Sequence, residues 1–193
     1  MASLYQAWKY RRRIPKARDI QAPVFRIPHN CLHIFLLDVS DSMAATFEIV
    51  QRWAAKVLSE TYLRRDPVTF LTVQGKKARI LTPPTTSIQF LLHRLSKVTE
   101  GGGTPLRQGL RLTDRVIRQW RDRYPAIKLV MVTDGRSTQP LDDMERPLRS
   151  IHRHVQERIV VNPVPHAAPF AQAFADLLKA RCLTPEEFLR LNG

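Results

Sequence analysis

Two short apolar segments that each lead into an aspartate constrain the fold of this chain more than any other feature. Residues 34–37 read Ile-Phe-Leu-Leu and are followed directly by Asp38. Residues 127–132 read Ile-Lys-Leu-Val-Met-Val and lead through Thr133 into Asp134. Near-continuous apolar runs of this length are typical of central strands in a parallel sheet that is covered on both faces. Because the carboxyl ends of parallel strands form one edge of a sheet, we expect both aspartates to lie at that edge.

The rest of the chain alternates predicted helices and strands. A central Pro147 is expected to kink or restart one of the helices. The pattern predicts a mostly parallel, doubly wound α/β sheet with one antiparallel edge strand and helices on both faces. In chain order we predict a helix over 45–62, a strand over 68–73, a hairpin turn at 75–77, an edge strand over 78–81, helices over 88–98 and 106–120, a strand over 127–132, a helix over 142–156, a strand over 158–161, and closing helices over 171–180 and 185–191.

Length and composition indicate one folded domain behind a basic arm. A chain of 193 residues with 44% hydrophobic content is large enough to bury a core. Residues 1–28 combine clustered Lys and Arg with three prolines, and we interpret them as an arm that is either solvated or docked on an acidic neighbour. Residues 29–193 form the predicted domain. No apolar run approaches about 18 residues, and two cysteines are too few for a disulfide framework, so we expect a cytoplasmic protein without a membrane-spanning helix.

The formal charge of +14, carried mostly by arginine, predicts an acidic partner. Nucleic acid is disfavoured, because the basic residues are dispersed along the chain and match no recognised binding motif. Aromatic residues make up only 8% of the chain and do not alternate with basic ones, as they do in single-strand binding proteins. An acidic protein is therefore the expected partner.

Hydroxyl side chains accompany the two aspartates and complete a ligand set for a hard cation. Ser40 and Ser42 follow the first aspartate in the run Asp-Val-Ser-Asp-Ser, and Thr104 follows three glycines that let the backbone approach an ion closely. Oxygen ligands of this kind suit Mg²⁺ or Mn²⁺, whereas zinc favours His and Cys. We therefore predict one metal site made of Asp38, Ser40, Ser42, Thr104 and Asp134.

Each of these segments also has a purely structural interpretation. Ser40, Asp41 or Ser42 can cap a following helix. Thr104 with its proline is a good helix start, and Asp134 with its glycine reads as a turn. Such caps and turns do not explain why all three segments fall at strand ends and carry the oxygen atoms that a hard cation prefers. Their convergence favours the metal site.

The same residues argue against catalysis by this chain alone. There is no phosphate-cradling Gly-x-x-x-x-Gly-Lys-Ser/Thr loop, and Asp38 lacks the second aspartate of the Asp-x-Asp phosphatases. No Ser-His-Asp or Cys-His arrangement can be argued either. A site built mainly from neutral hydroxyls leaves positive charge uncompensated, and an acidic residue of another molecule would complete it. A metal-dependent phosphohydrolase remains the alternative from a different class.

The order of the five predicted ligands resembles the metal-ion-dependent adhesion site of the von Willebrand factor A domain, which reads Asp-x-Ser-x-Ser, then Thr, then Asp. The resemblance runs from about Cys31 to about Pro163. It implies that the Ser and Thr hydroxyls ligate Mg²⁺ and that the aspartates act directly or through water. Asp41 departs from the pattern, since the family most often has glycine there.

Three further stretches resemble the A-type domain at the end of the D subunit of magnesium and cobalt chelatases. They are residues 65–68 (Arg-Asp-Pro-Val), 81–85 (Leu-Thr-Pro-Pro-Thr) and 100–106 (Glu-Gly-Gly-Gly-Thr-Pro-Leu). The resemblance implies a module that links a ring-shaped AAA+ ATPase to the large subunit that inserts a metal into a tetrapyrrole. The ATPase-like region that precedes this domain in full-length D subunits is missing from these 193 residues. The alternative is therefore a stand-alone adaptor of a MoxR-type AAA+ ATPase.

Overall fold

The computed structural model of the chain describes residues 31–46, 65–99 and 101–191. The predicted arm over 1–28 and most of the predicted helix over 45–62 lie outside these ranges. Two short 3₁₀ helices cover Asp41–Thr46 and Pro165–Ala167. The strands are β1 (Cys31–Asp38), β2 (Val68–Gln74), β3 (Lys77–Thr85), β4 (Ala126–Val132), β5 (Glu157–Val161) and β6 (Arg181–Leu183). The helices are α1 (Ile88–Leu95), α2 (Leu106–Trp120), α3 (Glu145–His154), α4 (Ala168–Leu178) and α5 (Pro185–Leu191).

The strands form one six-stranded sheet in the order β3-β2-β1-β4-β5-β6. Only the β2–β3 pair is antiparallel, and the other four pairs are parallel. The predicted fold class is confirmed. Strand β1 lies between β2 and β4, with Leu37 opposite Val132, so the chain leaves both strands at the same edge of the sheet. This pairing brings the two aspartate-bearing loops together.

Alternate side chains of β1 pack into two separate hydrophobic cores. Leu32, Ile34 and Leu36 belong to a cluster that also contains residues of α2, α3 and α4. Phe35 and Leu37 belong to a second cluster that contains residues of α1 and α5. Every residue of β1 is buried, as expected for a central strand that is covered on both faces. Helices therefore lie on both faces, and no helix in the described part of the chain is long and apolar enough to cross a membrane.

The edge strand β3 extends well beyond the four residues predicted for it and includes Pro83 and Pro84. Proline is tolerated there because an edge strand has a free side that needs no ladder donor. Two side-chain bonds bridge the irregular register. The Thr69 hydroxyl donates to the Thr82 carbonyl at 2.6 Å, and the Thr82 hydroxyl accepts from the Phe70 N–H at 3.0 Å.

Three local predictions were wrong or incomplete. Pro147 does not kink α3, because the helix begins only at Glu145 and the proline lies in its first turn, where no intrahelical N–H is needed. Helix α2 begins at Leu106 with Pro105 at the N-cap position, so Thr104 precedes the cap. Strand β6 was not predicted, since three residues are too short to show a periodicity.

Candidate metal centre

Backbone hydrogen bonds join the loop after β1 to the glycine-rich loop, residues 101–104, and we call the place where these loops meet the junction. The Asp41 N–H donates to the Gly102 carbonyl at 3.0 Å, and the Gly101 N–H donates to the Val39 carbonyl at 2.9 Å. Gly101 and Gly102 have φ values of 136° and 80°, a region that residues with a side chain rarely adopt. Glycine is therefore required at the first two positions of the triglycine by the backbone conformation.

The glycine-rich loop is joined in turn to the loop after β4. The Thr138 N–H donates to the Thr104 carbonyl at 3.0 Å. A Cβ atom on Gly103 would lie 2.7 Å from the Thr138 methyl carbon, so the two loops pack too closely for a side chain at that position. All three sequence segments therefore meet at the carboxyl edge of β1 and β4, as predicted.

Asp38 is buried at the centre of this junction, with 2% of its surface exposed. Its Oδ1 accepts the Ser40 N–H at 3.0 Å, and its Oδ2 accepts the Thr133 hydroxyl at 2.8 Å. Burial raises the pKa of this carboxyl to about 6, although the bonds from Ser40 and Thr133 oppose the rise, and the nearby charge of Asp134 raises it further. A cation at this edge would favour the ionised form.

The predicted hydroxyl ligands border the same junction. The Ser40 and Ser42 hydroxyl oxygens lie 3.1 Å apart and share a hydrogen bond. Ser40 and Thr104 are buried, whereas Ser42 is exposed. The hydroxyls of the first loop therefore extend from the buried carboxylate to the solvent, and the edge of the junction at Ser42 is open to another molecule.

Asp134 has one satisfied and one unsatisfied carboxylate oxygen. Its Oδ1 accepts the Arg136 N–H at 2.9 Å. Its Oδ2 is buried and has no hydrogen-bond partner among the described residues, and the Arg136 Nε lies 4.0 Å away. A buried carboxylate oxygen without a partner costs free energy that a bound cation would recover. The chemistry of the five predicted residues thus fits a hard divalent cation.

Only two of the five predicted ligands, Asp38 and Asp134, are carboxylates. The hydroxyls are therefore needed to complete the coordination of a cation. No cluster of three or more His, Cys, Asp or Glu side chains arranged for a metal occurs within residues 31–46, 65–99 and 101–191. Asp41, the departure from the family pattern, is exposed, and its Oδ1 would lie 3.5 Å from a Cβ on Gly101. It adds a negative charge at the rim of the junction.

Two residues at the rim of the junction, Arg136 and Phe170, were not predicted from the sequence. The Arg136 guanidinium lies 5.1 Å from the ring centroid of Phe170, which is 53% exposed. Gly135 makes this contact possible, because a Cβ there would lie 2.5 Å from the Phe170 carbonyl. Arg136 was detectable as the residue directly after Asp-Gly, whereas Phe170 is 36 positions from Asp134 and has no sequence signal.

Comparisons with known proteins identify the family of this chain. The model of the von Willebrand factor type A domain matches residues 33–136, a range that contains all five predicted ligands. The chain is 36% identical over 125 residues to the magnesium-chelatase 67 kDa subunit of Chlorobaculum tepidum, covering 64% of this chain and 20% of that protein. It is 37% identical over 125 residues to the magnesium-chelatase 60 kDa subunit of Cereibacter sphaeroides, covering 64% of this chain and 22% of that protein. The chain thus spans about a fifth of the length of these curated relatives.

Solved structures show the same fold at low identity. The conserved hypothetical protein BatB of Bacteroides thetaiotaomicron superposes with a TM-score of 0.64 at 16% identity, covering 83% of this chain and 98% of that one. The VWA domain of SpRpn10 superposes with a TM-score of 0.61 at 11% identity, covering 79% and 85%. Likeness at this identity establishes the fold alone. Together with the family match over more than half of its residues, it shows that the chain belongs to the von Willebrand factor type A domain family.

Proposed function

We propose that this chain is a protein-interaction module that depends on Mg²⁺, or Mn²⁺ in its place. Asp38, Ser40, Ser42, Thr104 and Asp134 would hold the ion. The unsatisfied Oδ2 of Asp134, buried beside joined loops that carry hydroxyl ligands, is the observation that carries this proposal. Bound at this edge, the cation would supply a positive charge that attracts a carboxylate from a partner.

We further propose that the module works in a chelatase-type complex, as the D-type component beside an AAA+ ATPase and a large subunit that inserts Mg or Co into a tetrapyrrole. The support is the identity of 32–37% to five proteins named magnesium-chelatase subunits. The partner's acidic residue would complete the metal site. Within this chain, Arg136 and Phe170 would form the adjoining contact, since exposed aromatic and arginine side chains often dominate binding energy.

Calorimetric titration of the purified chain with MgCl₂ tests the metal site. We expect binding to be lost or sharply weakened in Asp38→Ala and Thr104→Ala, because each removes an oxygen ligand. Asp122→Ala and Thr86→Ala, at exposed positions away from the junction, are the matched controls and should bind as the wild type does. Equal affinity in all five proteins would refute the site.

A pull-down from native lysate, with and without EDTA and read by mass spectrometry, tests the partner. We expect an AAA+ ATPase or a chelatase large subunit to be recovered only when the metal is present. Recovery of the same subunit in both samples would show that the metal does not mediate the contact. Recovery of a MoxR-type ATPase without chelatase subunits would favour the stand-alone adaptor instead.

Added salt distinguishes the metal-dependent contact from the long-range electrostatic attraction in the same complex. The charge of +14 should speed association with an acidic partner, and this attraction is screened as ionic strength rises. We therefore expect added KCl to lower the association rate and EDTA to abolish the complex. Surface plasmon resonance with the recovered partner measures both effects.

A further inference from the structure

Arginine dominates the outer surface of the two helices α2 and α3, which pack against each other on one face of the sheet. Four residues of α2 are exposed, and three of them are arginines, the fourth being Gln119. Four residues of α3 are exposed, and again three are arginines, the fourth being Glu145. We call these six residues the arginine face: Arg111, Arg115, Arg118, Arg146, Arg149 and Arg153.

Most of this charge is not used within the fold. Arg118 forms an ion pair of 2.9 Å with the buried Asp114, and Arg149 lies 4.0 Å from the exposed Glu145. The other four arginines of the face form no ion pair with any residue that the structure describes. Six positive charges thus stand against two carboxylates.

Arg118 compensates the charge of the buried Asp114, whereas Arg111, Arg115 and Arg146 have no ion-pair partner among the described residues. Arg111 and Arg115 are four residues apart, and like charges at this spacing destabilise a helix. The exposed residues of the two helices also include no apolar side chain that the arginines would shield. The described fold supplies too few carboxylates to pair with these charges, so they are available to an external anion.

The dimensions of the face limit what that anion is. Arg111 and Arg118 are seven residues apart, which is about 10 Å along a helix, and packed helix axes are about 8–10 Å apart. Helix α2 starts at Leu106, just after the glycine-rich loop, so Arg111 lies five residues, or about 7.5 Å, along the helix from its start. The arginine face is therefore a compact patch that is separate from the metal site.

We propose that the arginine face binds an acidic segment of a partner protein, one whose Asp and Glu side chains are gathered over about 10 Å. Arginine is suited to this role because its planar guanidinium pairs with a carboxylate through two parallel hydrogen bonds. The contact needs no metal.

Nucleic acid fits the patch less well. Its charge continues along the strand, and the exposed carboxylates of Asp142, Asp143 and Glu145, at and just before the start of α3, would repel a strand that leaves the patch at that end. The patch also has no exposed aromatic ring for base stacking among the described residues, because the exposed rings Phe90 and Phe170 lie on other elements. A peptide with a short acidic cluster ends before those carboxylates.

Fluorescence anisotropy in the presence of EDTA tests the proposal with two labelled probes, an oligoglutamate and a single-stranded oligodeoxynucleotide of the same net charge. The variants are Arg111→Ala/Arg115→Ala and, on the neighbouring helix, Arg146→Ala/Arg149→Ala. Lys97→Ala/Arg190→Ala removes the same charge from exposed positions just after α1 and within α5, on the opposite face of the sheet, and is the matched control. Circular dichroism verifies that each variant is folded.

We expect oligoglutamate to bind the wild type, with affinity about five- to tenfold lower in both arginine-face variants and little changed in the control. Tighter binding of the oligonucleotide through the same arginines would assign the face to nucleic acid and overturn the proposal. An equal loss of affinity in the control would show that only net charge matters, and it would also overturn the proposal. Failure of oligoglutamate to bind the wild type would overturn it as well. Because EDTA is present throughout, these outcomes do not depend on the metal site.

Discussion

At the residue scale, the two carboxylate oxygens of Asp134 have different surroundings. Oδ1 accepts a backbone N–H from Arg136, as in any Asx turn, whereas Oδ2 is buried without a hydrogen-bond partner among the described residues and has only the Arg136 Nε 4.0 Å away. A turn alone needs only the first of these. Burial of the second oxygen has a desolvation cost that the distant Arg136 offsets only in part and that a bound cation would offset further.

Asp134→Asn separates the two roles. The neutral amide keeps the turn acceptor and is less costly to bury than an ionised carboxylate. We expect the variant to melt at the same or a higher temperature than the wild type in EDTA, but to lose the stabilisation that MgCl₂ gives the wild type. Differential scanning fluorimetry with Asp122→Asn as the control measures both, and an undiminished response to MgCl₂ would contradict the assignment.

At the element scale, helix α2 fixes the geometry of the glycine-rich loop because it packs very closely on the sheet. A Cβ atom on Gly109 would lie 2.7 Å from Val73 Cγ1 and 2.9 Å from Leu36 Cδ2. Glycine in a helix interior costs about 1 kcal/mol relative to alanine. Here that cost permits the close approach of α2 to β1 and β2, and the loop ahead of the helix is positioned with it.

Gly109→Ala should therefore destabilise the protein although alanine is the better helix former. Overpacking of a core typically costs about 1–3 kcal/mol, which exceeds the gain in helix propensity. We expect a net loss of about 1 kcal/mol in the free energy of unfolding in urea. Gln119→Ala, exposed on the same helix, should be neutral or slightly stabilising. A stabilised Gly109→Ala would mean that α2 moves away from the sheet at little cost.

The edge strand β6 is tied to the sheet by charge as well as by its backbone. Glu157 of β5 bonds Lys128 of β4 at 2.9 Å and also pairs with Arg181 of β6. Partial burial tends to raise the pKa of Glu157, but the bond and charge of Lys128, with the charge of Arg181, outweigh it and hold the pKa below its usual 4.5. The carboxylate thus joins three neighbouring strands.

This lowered pKa sets the sign of a pH effect. The stabilisation is fully present above the unfolded pKa of 4.5 and is lost as pH falls through the lower pKa of the folded state. We expect Glu157→Gln to lower stability at neutral pH by less than about 1 kcal/mol, since the pair is partly exposed. The difference from wild type should shrink in urea titrations below pH 4.5. A difference that persists unchanged in acid would point to packing instead of charge.

At the scale of the whole molecule, a charge of +14 repels itself, and the arginine face concentrates part of that repulsion on one surface. Self-repulsion destabilises a compact state and is screened by salt. The charge therefore has a stability cost that added salt should reduce.

We expect the melting temperature in EDTA to rise by a few degrees as KCl increases from low to physiological concentration. Arg111→Ala/Arg115→Ala should melt higher than the wild type at low salt and show a smaller rise, because it starts with less repulsion. Thermal scans over a salt series measure this. A melting temperature that falls with salt would show that favourable ion pairs outweigh the repulsion.

The sequence by itself determined the sheet and the edge at which the predicted ligands meet. An apolar run such as residues 34–37, directly followed by Asp38, is local information. It predicts a strand that is buried on both faces and has the aspartate at its carboxyl end. The glycines at 101 and 102 are local information too, since no other residue adopts their φ values easily. Family membership followed from these short segments.

Only the tertiary structure decided which side chains border the site and where the charge gathers. Phe170 reaches Arg136 because α4 packs on the loop after β4, and nothing near either residue in the sequence encodes that contact. The basic residues look dispersed along the chain, yet six arginines meet on two adjacent helices. Helical periodicity predicts that each helix has an exposed side, but the packing of α2 against α3 depends on contacts far apart in the chain.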